Sequence, residues 1–263
     1  RIRSASSAAR AWGAFERHRT SEMGQLVTKP ITPPQSRKTA RVTNVDDGGD
    51  GDVLVAPRRY SASGADAEPV DELANNRAAL FAACKAGDLG LAKVLMSRPE
   101  MAVNMVDPAG GSSALQWACS KGCMKVAVWL LGLGADVAVK NTAGADSLQL
   151  AAKSGNADLV ALLIDHGADT NSRDIFAKTP LHYAAYLDNA EACDVLVHQG
   201  ALVDAVGLEA GTPLFHAVKA GSWKAARVLL KHGANAILKN SEGDTPESAA
   251  AAKGVDLTAL MPL

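Results

Sequence analysis

The chain is poor in aromatic side chains: Phe, Trp and Tyr make up 4% of 263 residues, against a hydrophobic share of 48%. Its core must therefore be built from Ala, Leu and Val, and such small side chains suit helices that stack closely. Charge is nearly balanced, with a formal net of −1, so no general attraction to nucleic acid or to an anionic membrane follows. From residue 73 onward 16 Lys/Arg stand against 18 Asp/Glu, and no nucleic-acid partner is expected. The four cysteines, Cys84, Cys119, Cys123 and Cys193, lack CxxC spacing, so neither a zinc site nor a disulfide framework is implied. Cys84 and Cys119 read instead as small core residues in a reducing compartment. An apolar run such as Val126 to Leu131 is far too short to span a bilayer. A GxSxG elbow, a P-loop, a Gly-rich dinucleotide turn and an HExxH pair are all absent. The expectation is a chain without catalytic residues, cofactor or bound metal.

What the chain does have is a period. Thr179-Pro180-Leu181-His182-Tyr183-Ala184-Ala185 starts a helix, with Thr179 as N-cap and Pro180 in the first turn, where its missing donor costs nothing. Related stretches follow at Thr212-Pro213-Leu214-Phe215-His216-Ala217 and Thr245-Pro246-Glu247-Ser248-Ala249-Ala250. Others precede it at Asp146–Ala151, Ser113–Ala118 and, most weakly, 78–83. The shared alanines Ala83, Ala118, Ala151, Ala184, Ala217 and Ala250 are separated by 35 and then four times by 33 residues. A fixed interval of this size means stacked supersecondary units rather than one globular core. A turn glycine follows each first helix at Gly87, Gly122, Gly155, Gly221 and Gly254, with Asp188 the exception, and a left-handed C-cap explains the preference. A second apolar helix then closes on Gly134, Gly167, Gly200 or Gly233.

This pattern resembles the ankyrin-repeat family over nearly all of residues 75–263. The residues that carry the resemblance are TPLHYAA at 179–185 and the Gly-Ala-Asp ends at 134–136 and 167–169. The resemblance implies an all-α solenoid of stacked helix-turn-helix units with β-hairpin fingers. Residues 1–72 would form a disordered tail or linker and residues 73–263 the repeat domain, with repeats at about 75–109, 110–142, 143–175, 176–208, 209–241 and 242–263. The first repeat lacks the Thr-Pro start and is followed by two extra residues near Asp107–Gly111. The sixth stops at Leu263 without a full second helix. Both ends should act as caps on apolar interior faces. Ala177 and Ala210 replace finger glycines, which predicts differently shaped fingers before repeats four and five.

Histidine roles follow from the same frame. His182 should bond the neighbouring finger backbone, while His166 and His232 should meet the last carbonyls of their helices. His216 is assigned to the groove, His198 to a helix end and His18 to the tail. No metal site is expected, on the reading that no acidic or Cys partner falls one turn from a histidine. The function implied is non-catalytic binding of a protein through fingertips and inward-facing first-helix positions. The candidate residues are Trp117, Leu150, Ile175, Phe176, Tyr183, Tyr186, Leu187, Leu208 and His216. Aromatic and apolar anchors beside Lys153, Lys219 and Glu209 are what protein interfaces use. The alternative is a regulatory or targeting part of an enzyme whose catalytic domain lies upstream, because the repeat ending at Leu263 leaves no room downstream. A monomer is expected.

The N-terminal stretch has segregated charge: residues 1–45 hold nine Arg/Lys against two Glu, and 46–72 hold eight acids against Arg58 and Arg59. Asp46–Asp52 fails as a calcium loop, because Pro57 occupies the place of the bidentate Glu. Residues 1–19, with five arginines and one acid, fit an organelle transit peptide. Met23-Gly24-Gln25-Leu26-Val27-Thr28 fits N-myristoylation of Gly24 if translation starts there. In that case the location is cytoplasmic with weak membrane association, helped by Lys29, Arg37, Lys38 and Arg41. Because the chain begins at Arg1, it reads as a fragment or an over-extended frame. Ser61, after Arg58-Arg59-Tyr60, fits a basophilic kinase site, and Lys29–Pro34 a polyproline ligand.

Overall fold

The structure is a computed structural model and describes residues 72–260. The expectations placed on residues 1–71, including the disordered tail, the transit peptide, Gly24 and Ser61, lie outside the described residues, as does the end at 261–263.

Eleven α-helices and one terminal 3-10 turn follow one another, and no named strand occurs among the described residues. In chain order they are α1 (Glu72–Ala86), α2 (Leu89–Met96), α3 (Ala114–Ser120), α4 (Met124–Gly132), α5 (Ser147–Ser154), α6 (Ala157–Asp165), α7 (Pro180–Tyr186), α8 (Ala190–His198), α9 (Pro213–Ala220), α10 (Trp223–Lys231) and α11 (Pro246–Ala251). The 3-10 turn covers Leu257–Leu260. Odd-numbered helices pack on one another as a first row and α2, α4, α6, α8 and α10 as a second, each pair also packing internally. The chain is thus a one-dimensional stack in which a repeat touches its neighbours.

Helices of six to nine residues are too short to hold themselves in water. Packing and capping decide them. The motif alanines Ala118, Ala151, Ala184, Ala217 and Ala250 are wholly buried, which lets first-row helices approach closely. Leu115, Leu148, Leu181 and Leu214 fill the space beside them, and Leu130, Leu163, Leu196 and Leu229 do the same in the second row. At the helix starts, Ser113 and Asp146 form capping boxes with Gln116 and Gln149. Thr212 caps α9 through the Phe215 N–H. At Thr179 the partner in the capping box is His182, whose Nδ1 also meets the Thr179 hydroxyl (2.9 Å).

Two sets of bonds fix the register between repeats. One runs through the third residue of the first helix. Gln116 Nε2 donates to the Val139 and Ala145 carbonyls (2.7 and 2.8 Å), and Gln149 Nε2 to that of Lys178 (2.8 Å). His182 holds the same station. Its Nδ1 accepts from the Thr179 N–H (3.1 Å), so Nε2 is the protonated nitrogen and donates to the Gly211 carbonyl (3.1 Å). The second set joins finger to finger: Thr142 N–H to Gly110, Ile175 to Ala143, Leu208 to Phe176 and Ser241 to Glu209. Each finger closes on itself as a hairpin-like turn, for instance Asp174 N–H to Lys178 (3.2 Å) and Gly207 N–H to Gly211 (3.1 Å).

Departures from the repeat pattern have physical consequences. Ala177 and Ala210 sit at φ 54°, in the left-handed region that Gly144 and Gly243 occupy in equivalent fingers (φ 70° and 89°). The fingers before repeats four and five therefore keep the common turn sense, contrary to expectation, and the two alanines hold a conformation that costs a side-chain-bearing residue about 1–2 kcal/mol. Asp188 likewise keeps φ 59°, and its carboxylate accepts the Ala225 N–H (2.9 Å) near the start of α10 in the next repeat. That cap explains the aspartate: Ser222, the N-cap of α10, makes no side-chain cap of its own. Cys84 and Cys119 are buried core residues as read from sequence, and burial pushes the Cys84 thiol up to about 12. No helix among the described residues is long and apolar enough to cross a membrane.

Candidate functional site

Exposed apolar side chains occur in several places, among them Val94 on α2 and Ile237 after α10, and the candidates read from the sequence lie on the fingertips and on one register of the first-row helices. At the tips, Ile175 and Leu208 are each 61% exposed, in the same position of adjacent fingers. The finger-to-finger bonds from their own N–H groups hold them there, to Ala143 and Phe176 respectively. Gly144 makes this possible at the first of them, because a Cβ on it would come within 2.9 Å of the Ile175 nitrogen. Phe176, next to Ile175, is only partly exposed.

Along the first row, the position two residues beyond each motif alanine reads Lys85, Ser120, Lys153, Tyr186, Lys219 and Ala252. Three of these are cations lying over aromatic rings. Lys85 Nζ is 4.9 Å from the Trp117 ring centre, Lys153 is 5.8 Å from Tyr183 and Lys219 is 5.8 Å from Phe215. Such ring faces hold an ammonium group electrostatically, so each of these lysines is seated on an aromatic ring along the row. Tyr186 completes the row at 39% exposure.

The remaining candidates are partly occupied by the scaffold. Trp117 and Leu150 are half-buried and pack against the core cluster. The Trp117 indole N–H is buried and has no hydrogen-bond partner. Tyr183 donates its hydroxyl to the carboxylate of Asp174 in the preceding finger. Burial and that bond push the phenol pKa well above its ordinary value. His216 packs edge-on against His182, with ring centres 5.5 Å apart, and beside Phe215. Its neighbour Gly211 has no room for a Cβ, which would lie 2.9 Å from His216 Nε2. Burial, with Lys178 adding to it, drives the His216 pKa down to about 3, so the ring is neutral. Leu187 is the C-cap residue of α7 and half-buried. The structure thus brings Ile175, Leu208 and Tyr186 out to solvent, and sets Trp117, Leu150, Phe176, Tyr183, Leu187 and His216 partly inward beside them.

Two features elsewhere are polar. A cleft of about 310 Å³ between fingers is lined by Lys140, Asp146, Asn171, Ser172 and Arg173 among others. Its groups mainly tie the fingers together, since Lys140 Nζ donates to the Arg173 carbonyl (2.7 Å) and Asp146 caps α5. Burial raises the Asp146 pKa.

The second feature is among the second-row histidines. His166 Nδ1 meets the Leu162 carbonyl (2.8 Å), as expected at a helix end. The His232 ring is turned away from its own helix end, which only its backbone N–H bonds, and its Nε2 pairs with Asp194 of α8 at 2.7 Å. The expectation that no histidine has an acid one turn away fails at His198, because Asp194 stands four residues before it on α8. That i,i+4 spacing is legible in the sequence. The proximity of His232, 38 residues from Asp194, is not.

A family model described as ankyrin repeats (3 copies) matches residues 56–141 and 134–206. A model described as ankyrin repeat matches residues 211–241. No curated protein matches the chain.

Proposed function

The chain belongs to the ankyrin-repeat family, whose repeats generally serve as protein–protein interaction modules, and we propose that this one is a non-catalytic adaptor. In this reading residues 73–263 form the binding array, and a protein partner docks across the fingertips and the first-row helices. The observation that carries the proposal is the pair Ile175 and Leu208, apolar and 61% exposed on adjacent tips that the backbone holds in line. Side chains this apolar contribute nothing to the core from that position, and a rigid exposed apolar edge marks an interaction site. Beside the tips, Tyr186 supplies an amphipathic anchor, and Lys85, Lys153 and Lys219 supply positive charge above aromatic rings. The partner segment that fits offers apolar side chains to the tips and carboxylates to the lysine row. Tyr183 and His216 then act chiefly as the wall against which such a segment lies.

The test uses the full chain as bait for affinity capture and mass spectrometry, side by side with Ile175→Asp/Leu208→Asp. Both positions are exposed, so the variant should keep its helical circular dichroism and its melting temperature. A partner recovered by the wild type and lost with the variant supports the site. Identical recovery with both baits overturns it.

A further inference from the structure

On the second helix row, remote in register from the tips, one carboxylate and two imidazoles converge. Asp194 and His198 lie one turn apart on α8, the spacing that puts two side chains on the same helix face. His232 is the C-cap residue of α10, the corresponding helix of the next repeat. One carboxylate oxygen and one nitrogen of each imidazole all lie within 4.8 Å of one another. The closest approach is His232 Nε2 to Asp194 Oδ1 at 2.7 Å. His198 Nδ1 is 3.5 Å from Asp194 Oδ2 and 2.8 Å from the Asp194 carbonyl oxygen. The two rings meet edge to face with centres 4.9 Å apart.

This donor set is selective. Calcium and magnesium take oxygen ligands, whereas imidazole with one carboxylate suits zinc and its first-row neighbours. Metal–ligand bonds of roughly 2.0–2.2 Å place the ligand atoms of a tetrahedral site about 3.4 Å apart. The ligand with room to adjust to that spacing is His198, whose side chain is 62% exposed and whose Nδ1 would exchange the Asp194 carbonyl for the ion. His232, at 17%, is the anchored ligand, and Asp194, at 43%, stands between the two. Lys231, next in sequence to His232, is the neighbouring positive group that works against a cation.

We propose that Asp194, His198 and His232 form a three-ligand site for a divalent transition ion of the zinc class, with water as the fourth ligand. On binding, Nε2 of His232 must turn a lone pair to the ion, so the ring proton now shared with Asp194 is carried on Nδ1 instead, and Nδ1 of His198 gives up its bond to the Asp194 carbonyl, its proton moving to Nε2. Because the ligands come from α8 and α10, the ion ties two adjacent repeats together. In a stack where each repeat is stabilised by its neighbours, binding energy appears as stability of that junction. The site is distinct from the docking face, and its success or failure leaves the adaptor reading untouched.

The experiment is calorimetric titration of the chelator-treated full chain with zinc chloride, paired with thermal melts with and without the ion. The expected result is one equivalent bound with micromolar affinity, a higher melting temperature with zinc, and neither effect with magnesium. His198→Ala removes the most exposed ligand and should leave the metal-free melt within a degree or two while weakening zinc binding at least tenfold. Asp194→Asn should weaken it similarly. Absence of zinc binding by the wild type overturns the site, and so does binding that survives His198→Ala and Asp194→Asn unchanged.

Discussion

The junction after α7 and the junction after α9 join equivalent helices by different physics. After α7, His182 is wholly buried and holds two neighbours at once, the Thr179 N–H on its own helix and the Gly211 carbonyl of the next finger. After α9, the same station is Phe215, 6% exposed, which has no polar group to reach the finger beyond it. That junction relies on apolar packing, on the Ser241 to Glu209 finger bond and on the Glu247 N–H to Ala236 bond. The first arrangement specifies register, since a misplaced finger strands a buried donor. The second adds contact area but tolerates displacement. The difference follows position in the stack: α7 lies in the interior, whereas α11, beyond Phe215, exposes Glu247, Ser248 and Ala251 and is followed only by a 3-10 turn among the described residues.

The largest expected effect comes from making the interior junction resemble the terminal one. His182→Phe leaves the buried Thr179 N–H without its partner and removes one of the two donors to the Gly211 carbonyl, a loss of about 2–3 kcal/mol, and urea unfolding should show it as a lower midpoint. His182→Gln is the control, because Gln116 and Gln149 already perform the same task in the two preceding repeats. It should cost less than about 1 kcal/mol. Equal losses in both variants would mean that the station needs a ring and not a donor.

Acid should weaken the same junction without mutation. Burial holds the His182 pKa down at about 4, against about 6.5 in an unfolded chain. The unfolded chain therefore binds the proton first, and stability falls as pH drops below 6.5, with the loss complete below about 4. At pH 5 His182 alone accounts for about 2 kcal/mol, and His216, held lower still, acts in the same direction. Urea midpoints at pH 7.5 and 5 measure this. In His182→Gln the difference between the two pH values should shrink.

A smaller effect, of opposite sign, belongs to the fingers on either side of that junction. Ala177→Gly and Ala210→Gly each relieve a left-handed alanine. Relief of about 1–2 kcal/mol, less the entropy cost of glycine, leaves a gain of roughly 0.5–1 kcal/mol per site. Melting temperatures should rise in each variant, and more in the double.

Much of this was legible in the sequence because an ankyrin stack is locally encoded. The Thr-Pro starts, the motif alanines and the turn glycines each act within one repeat, and their 33-residue interval carries the architecture. The exceptions were visible but not interpretable. Asp188 stands where glycine is expected because it caps a helix in the next repeat, and a cap supplied from 37 residues away leaves no local mark. Ala177 and Ala210 looked like altered fingers, yet the bonds between tips are strong enough to impose the common turn on them. The candidate surface divided in the same manner. Ile175 and Leu208 were marked by being apolar in a turn, whereas the inward lean of Tyr183 depends on Asp174 in the finger before it.

The sequence by itself determined the repeat, its period, the helix starts and the small-residue core, all of which rest on contacts within about one repeat length. The tertiary structure decided which of the outlying residues meet. It tied Tyr183 to Asp174, and it placed Asp194 between His198 and His232. Those pairings depend on the rotation of one repeat against the next, and that rotation is set by side-chain packing across the junction.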